Sequence, residues 1–216
     1  MGELFGLQKK AIAEALGLLV LLGGLIVMLG WLYDVPALKS VMPDWVTMKF
    51  TTALSFMLSG IALLALARCL GKSCQLSLVI LPMTCLTIFM IMVSLLTGVF
   101  FGIQTGTESL GVKEQAGAVK TAVPGMPNIV TMISFVLIAS ACIWGISDLR
   151  EGRPLMLVGW LLVAVGIVAV IGYALSIDMM YYDFGEGFTA MAFHTAVLFA
   201  ISGITFSVIA DERGAA

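Results

Sequence analysis

The sequence predicts an all-α membrane protein with six transmembrane helices, arranged as three hairpin repeats of parallel topology with both termini in the cytoplasm. Three observations predict this fold: the composition, six apolar segments of spanning length, and a segment of ten residues that recurs. Of the 216 residues, 61% are hydrophobic and 11% are charged, whereas a soluble domain carries about 25% charged residues. This composition indicates that lipid is the main solvent of the chain.

Six apolar segments are each long enough to cross a bilayer, which takes roughly 17 to 25 residues. We place them at Ala11–Tyr33, Met48–Cys69, Leu76–Phe101, Ile129–Ile146, Leu155–Ile177 and Phe188–Ala210. The first is of full spanning length and lacks a small-x-small cleavage site, so we expect an anchored helix and not a cleaved signal peptide. The chain is then a single membrane domain, 1–216, with hairpins at approximately 11–69, 76–149 and 155–210.

The distribution of Lys and Arg predicts the orientation of the helices. Seven of the eleven lie on the side that holds the termini and the 2–3 and 4–5 loops, and four lie on the other side. The positive-inside rule therefore places both termini in the cytoplasm. The chain has a net charge of -2 and no basic run, so we expect no nucleic-acid partner.

The four cysteines are expected to be reduced and without a metal role. Cys69 and Cys74 flank the 2–3 loop, which is predicted to be cytoplasmic and therefore reducing. Cys85 and Cys142 fall inside helices. The C-x4-C spacing without histidine partners is a weak signal for a metal site.

The recurring segment is "TTALSFMLSG" at 51–60, which is matched by "HTAVLFAISG" at 194–203. The residues shared in order and spacing are Thr52, Ala53, Phe56, Ser59 and Gly60 in the first copy and Thr195, Ala196, Phe199, Ser202 and Gly203 in the second. A weaker copy, "TMISFVLIAS", places Thr131, Ser134 and Phe135 where Thr52, Ser55 and Phe56 stand. Each copy opens the returning helix of one hairpin.

The outgoing helices also correspond at their outer ends. Gly30 with Trp31 and Gly172 with Tyr173 are each followed by an acid, Asp34 or Asp178, whereas "TGVFFG" around Gly98 keeps the glycine and loses the acid. Gly30 and Phe56 are 26 positions apart, and Gly172 and Phe199 are 27 apart. We therefore predict a threefold internal repeat, arranged as a ring of hairpins around a common centre.

The small hydroxyl-bearing face of the recurring segment predicts a helix-packing seam, with a ligand-facing wall as the alternative. His194, the single histidine, replaces Thr51 in the second copy. An ionisable side chain inside a span tends to face a polar interior, so His194 is a candidate for ligand contact or proton sensing, or else bonds a neighbouring helix. We expect Lys49 to extend outward to the interface, with pairing to Asp34 or Asp178 as the alternative.

The outer loops carry the remaining polar candidates. Asp178, Asp183, Glu186 and the Tyr181–Tyr182 pair lie close in sequence and offer oxygen ligands for a cation or amine. We favour solvated loop acids, and predict no metal site. The loop from Gly102 to Gly125 is the longest, and is expected either to cover the outer face or to be mobile.

No catalytic motif occurs in the sequence, so we expect a protein that is not an enzyme and whose cofactor, if any, is unknown. A pigment, quinone or lipid binds apolar walls without leaving a motif. The candidate ligand-contacting residues are His194, Thr51, Thr52, Thr195, Lys49, Asp34, Asp178, Tyr173 and Trp31.

The stretch "GWLYDVPALKSVMPDWVTMKFTTALSFMLSGIALLAL" resembles the N-terminal membrane region of bacterial sensor histidine kinases and diguanylate cyclases. In that family a "P-x-L-x-S" loop and an "M-K-x-N-T-A-L-x-F-x-L-x-G" helix start recur, and "MAFHTAVLFAISG" is similar to the family's second form, "M-x-x-H-T-A-L-x-F". The motif falls on Met48, Lys49, Thr52, Ala53, Leu54, Phe56 and Gly60, and again on Met191, His194, Thr195, Ala196 and Phe199. Thr51 stands where the family has asparagine.

The resemblance covers all six helices and implies a sensory module of the bacterial inner membrane. Such a module would accept a ligand in an outward-opening centre and pass a helix displacement to a partner. Relatives continue into an output domain, whereas this sequence ends at "ADERGAA", so we expect either a stand-alone member of the family or an isolated membrane portion.

Two other functions remain open from the sequence. One is an accessory or scaffolding subunit of a larger membrane complex. The other, a small transporter or channel, is disfavoured because the spans lack buried charges and only Pro82 interrupts one. The expected partners are membrane lipid, a protein partner or second copy of the chain, and a small apolar or amine ligand.

Overall fold

The computed structural model describes residues 2–70, 75–112, 114, 119–148, 151–185 and 189–214. Within these residues the chain forms seven α-helices. They are α1 (Gly2–Leu32), α2 (Pro36–Lys39), α3 (Phe50–Arg68), α4 (Ser77–Phe101), α5 (Ile129–Ser147), α6 (Arg153–Leu175) and α7 (Phe193–Gly214). Single turns of 3₁₀-helix at Thr107–Ser109 and Asp178–Tyr181 lie in the connections.

All the helices except α2 are long and apolar enough to cross a membrane, which confirms the six predicted spans among the described residues. We call the side that holds residues 33–49, 102–112, 119–128, 176–185 and 189–192 the loop side. The side that holds the start of α1 and the end of α7 is the terminal side.

Two returning helices begin later than predicted, at Phe50 and Phe193 in place of Met48 and Phe188; residue 188 lies outside the described residues. The cause is tertiary hydrogen bonding of the preceding backbone. The carbonyl of Met48 accepts from the Trp31 Nε1–H over 2.7 Å, and the carbonyl of Met191 accepts from the Tyr173 hydroxyl over 2.8 Å. A carbonyl engaged in this way does not accept the helical hydrogen bond from the N–H four residues later.

The helices pack as hairpins in chain order, α1 with α3, α4 with α5, and α6 with α7. The returning helices lie inside the bundle, since 67% of the α3 span, 50% of the α5 span and 56% of the α7 span is buried. The corresponding shares for α1, α4 and α6 are 28%, 28% and 33%. Lipid therefore faces mainly the outgoing helices.

Glycines of the recurring segments bring the helices of a hairpin into close contact. A Cβ atom at Gly60 would lie 2.4 Å from the backbone nitrogen of Leu21, and one at Gly203 would lie 2.4 Å from the carbonyl oxygen of Gly159. These glycines therefore contribute to a packing seam, as expected of small residues between helices in lipid.

Phenylalanines of the three returning helices meet at the centre of the bundle. The ring centroids of Phe56 and Phe135 are 4.7 Å apart, those of Phe56 and Phe199 are 4.9 Å apart, and those of Phe135 and Phe199 are 5.1 Å apart. All three side chains are fully buried. We expected the centre of the bundle to open outward. At the depth of these three phenylalanines, their rings fill it.

The expectation of four reduced cysteines is wrong at Cys69, which is disulfide-bonded. Cys74 lies outside the described residues. Cys85 and Cys142 are free and buried.

Candidate ligand-binding site

The described residues 102–112, 114 and 119–128, which we call the covering loop, lie over the loop side of the bundle and contact the other two hairpins. Its contact with the first hairpin is an ion pair: the Lys49 Nζ lies 2.6 Å from the Glu114 Oε1. Only 3% of the Lys49 side chain and 5% of the Glu114 side chain is exposed. Lys49 also donates to the Thr121 hydroxyl over 2.7 Å, and the Gly125 N–H donates to Glu114 over 2.7 Å.

The structure contradicts both sequence-based expectations for Lys49. The side chain turns inward and does not extend to the interface, and its partner is neither Asp34 nor Asp178. Asp34 instead pairs with Lys39. Burial lowers the pKa of Lys49, and the attraction of Glu114 opposes that shift.

The contact with the third hairpin is made by Lys120. Its Nζ lies 2.8 Å from the Asp178 Oδ2 and 3.2 Å from the Asp183 Oδ2, and it donates to the hydroxyl of Tyr181. Two acids of the cluster considered as a cation site, Asp178 and Asp183, thus share the chain's own Lys120 as a counter-charge. Within the described residues no group of three or more His, Cys, Asp or Glu side chains is placed to hold a metal ion; Glu186 lies outside them.

The Lys120 contacts predict how the covering loop responds to acid. Hydrogen bonds from Lys120 and Tyr181 lower the pKa of Asp178 in the folded protein. The stabilisation is therefore complete above the unfolded pKa of about 3.9 and is lost as the pH falls below it. We expect Asp178→Asn to lower the thermal midpoint slightly at pH 7 and to reduce the loss of stability between about pH 5 and pH 3.

The measurement is the thermal midpoint of the purified protein as a function of pH, for the wild type and for Asp178→Asn. Asp44→Asn, which changes an exposed loop carboxylate, is the matched control and should follow the wild type. Parallel curves for the wild type and Asp178→Asn would contradict the prediction.

A third polar contact fixes the end of the covering loop. The Asn128 side chain accepts from the Val130 N–H over 2.8 Å, so it caps α5. The same side chain donates to the carbonyl oxygens of Tyr182, over 3.1 Å, and Thr189. Asn128 therefore couples the start of α5 to the connection between α6 and α7.

The ends of the three outgoing helices have the same backbone geometry. In each, a glycine carbonyl accepts a hydrogen bond from the N–H five residues later, and the residue four positions after the glycine is left-handed. The hydrogen bonds are Val35 to Gly30 at 2.8 Å, Ile103 to Gly98 at 3.1 Å and Ile177 to Gly172 at 2.9 Å. The left-handed residues are Asp34, Gly102 and Ser176. Trp31, Val99 and Tyr173 therefore occupy equivalent positions.

Trp31 and Tyr173 each close the loop end of their own hairpin. The Trp31 Nε1–H donates to the carbonyl of Met48 over 2.7 Å, and the Tyr173 hydroxyl donates to the carbonyl of Met191 over 2.8 Å. Both rings are buried. We expected these aromatic residues to contact a ligand, but their donor groups are engaged within the protein.

The middle hairpin has a cavity beside the equivalent position. Its volume is about 280 Å³, just below the range of roughly 300–1,000 Å³ that ligand pockets occupy. The residues that define it are Gly98, Val99, Ile103, Met126, Pro127 and Ile129. Thr189 and Gln104 add polar groups at its edge. Since residues of the covering loop form part of the wall, a bound molecule would contact that loop directly.

No known protein family, curated protein or solved structure matches the chain. The resemblance to the membrane regions of bacterial sensor proteins therefore rests on the motifs quoted above and stays a prediction.

The threonines of the recurring segments line a second, smaller space on the axis of the bundle. Thr52, Thr131 and Thr195 border it together with Lys49 and Asn128, and it is about large enough for one water molecule. Of the predicted ligand-contacting residues, it brings together Thr52, Thr195 and Lys49.

Thr51 and His194 lie apart from both spaces. The Thr51 Oγ1 and the His194 Nδ1 are buried, and neither has a hydrogen-bond partner among the described residues. The two residues, which occupy equivalent positions in the recurring segments, therefore each have a buried polar atom without a hydrogen-bond partner among the described residues. Ligand contact or proton sensing by His194 stays a prediction.

Sequence reasoning missed Glu114, Lys120 and Asn128 as the residues that hold the covering loop, and it missed the cavity at Val99. For the loop residues the sequence contains no pattern that indicates their contacts. For the cavity it contains one: "TGVFFG" has Val99 where the other outgoing helices have Trp31 and Tyr173. The missing aromatic ring was the informative difference.

Proposed function

We propose that the chain is a non-enzymatic membrane sensory module that binds a small ligand on the loop side and passes a conformational change to a protein partner on the terminal side. One observation carries the proposal: the 280 Å³ cavity shares a wall with the covering loop, and that loop is ion-paired to both of the other hairpins. A ligand that moves the loop would therefore act on all three hairpins.

The route to the terminal side runs along α5, which begins at the cavity and ends beside α7. There the Arg213 Nη1 lies 3.4 Å from the carbonyl oxygen of Asp148. Arg213 is buried, and its Nε and Nη2 have no hydrogen-bond partner within the described residues. Because unsatisfied buried donors are costly, a helix displacement that exposed Arg213 would allow these donors to bond an acceptor group of a partner.

The threefold repeat and the orientation belong to the same proposal. The repeat is supported by the common backbone geometry at Gly30, Gly98 and Gly172 and by the contacts among Phe56, Phe135 and Phe199. Cytoplasmic termini are supported by the excess of Lys and Arg on the terminal side. Location in a bacterial inner membrane is supported by the quoted motifs.

The test is a binding screen on the protein purified into lipid nanodiscs. We expect at least one class from a panel of indoles, phenols, quinones and lipids to raise the thermal midpoint. We also expect the same compound to slow hydrogen exchange in the covering loop. If no compound does either, and a stoichiometric protein partner co-purifies in mild detergent, the chain is an accessory subunit and the sensory proposal is wrong.

A further inference from the structure

The middle hairpin lacks the aromatic side chain that closes each of the other two, and the cavity lies where that ring would be. We infer that this cavity binds a small, neutral, planar aromatic molecule with a single N–H or O–H donor, of which indole and phenol are the simplest examples. The ring would lie beside Val99, and the donor would bond the carbonyl oxygen of Pro127. This inference rests on the proposed ligand-binding function and specifies the class of its ligand.

The first argument is the equivalence of the acceptors. The helices α3, α5 and α7 begin two residues after Met48, Pro127 and Met191, respectively. The first helical turns carry matching backbone hydrogen bonds, Ala53 to Lys49 at 3.0 Å, Met132 to Asn128 at 3.1 Å and Ala196 to Ala192 at 3.1 Å. The carbonyl of Pro127 thus stands where the carbonyls of Met48 and Met191 accept from Trp31 and Tyr173.

The second argument is the unmet acceptor. Pro127 is buried, and no donor among the described residues reaches its carbonyl oxygen. Val99 has no polar group with which to do so. Since a buried carbonyl gains from a partner, a ligand with a donor is favoured over a hydrocarbon of the same shape.

The third argument is the chemistry of the walls. The lining is mainly apolar and includes no charged side chain among the described residues. A charged amine would therefore be desolvated without compensation, which disfavours the amine ligand considered from the sequence. At Gly102 nothing lies within 4 Å of the position that a Cβ would take, which leaves room for a flat ring to approach the backbone.

The test compares two ligands of nearly the same shape, indole and indene, of which only indole has an N–H donor. Binding to the protein in lipid nanodiscs is measured by calorimetric titration. We expect indole to bind roughly tenfold more tightly than indene, as one buried hydrogen bond implies. In Val99→Trp, the new side chain fills the cavity, and indole affinity should fall more than tenfold. Phe100→Trp adds the same group on an exposed neighbour and should leave affinity unchanged.

The outcomes separate this inference from the proposed function. Equal affinity for indole and indene would identify a hydrocarbon site, such as one for a lipid chain, and would overturn the inference. Absence of binding by either would also overturn it, while a different ligand class from the screen would keep the sensory function. If indole binds but hydrogen exchange on the terminal side is unchanged, the ligand class stands and the sensory function fails. The comparison of the two ligands uses the wild type, so it remains decisive if Val99→Trp does not fold.

Discussion

Replacing Glu114 with glutamine is expected to lower the free energy of unfolding by about 3 to 5 kcal/mol, because it leaves the ammonium group of Lys49 buried without a counter-charge. The two groups lie 2.6 Å apart and are almost completely removed from solvent. They join the first hairpin to the covering loop across 65 residues of sequence. The measurement is a denaturant titration of the purified protein in mixed micelles.

The matched control removes both charges. In the double variant Lys49→Met with Glu114→Leu no charge remains to be desolvated, so most of the stability should return. A double variant as unstable as Glu114→Gln would show that the loss comes from packing of the loop and not from the unpaired charge. Unchanged stability in Glu114→Gln would contradict the buried ion pair itself.

Replacing Phe135 with alanine is expected to cost a similar amount, about 3 to 5 kcal/mol, because it opens a cavity where three rings meet. The surrounding helices cannot collapse to fill the space, since the Phe56 and Phe199 rings on either side already contact each other at 4.9 Å between centroids. The same titration measures the effect.

Phe100→Ala is the matched control for the central ring. Phe100 is 76% exposed on the outgoing helix of the same hairpin, so its removal leaves no internal cavity and should change stability by less than about 0.5 kcal/mol. Equal losses in the two variants would contradict a central role for the three phenylalanines.

Most of the fold could be predicted from the sequence because lipid imposes a simple rule. An apolar segment of spanning length must be a helix, since its backbone has no other hydrogen-bond partners. The recurring segments further identified the phenylalanines that meet at the centre. The helix starts at Phe50 and Phe193 were less predictable, because tertiary hydrogen bonds of Met48 and Met191 decide them.

The site was less predictable because loop conformation decides it. Glu114 and Lys49 are far apart in sequence, and nothing local to either residue indicates the other. The expected outward extension of the Lys49 side chain was wrong for this reason: the covering loop supplies a buried partner that helix periodicity does not reveal. By contrast, the equivalence of Val99 with Trp31 and Tyr173 is visible in the sequence once the glycines are aligned.

The most direct test of the sensory function is hydrogen exchange of the protein in lipid nanodiscs, with and without saturating indole. Two regions are compared: the covering loop, and the terminal-side ends of α5 and α7 around Asp148 and Arg213. We predict that indole slows exchange in the covering loop and also changes exchange at the terminal-side ends. A change confined to the covering loop would contradict the claim that binding is transmitted across the bundle.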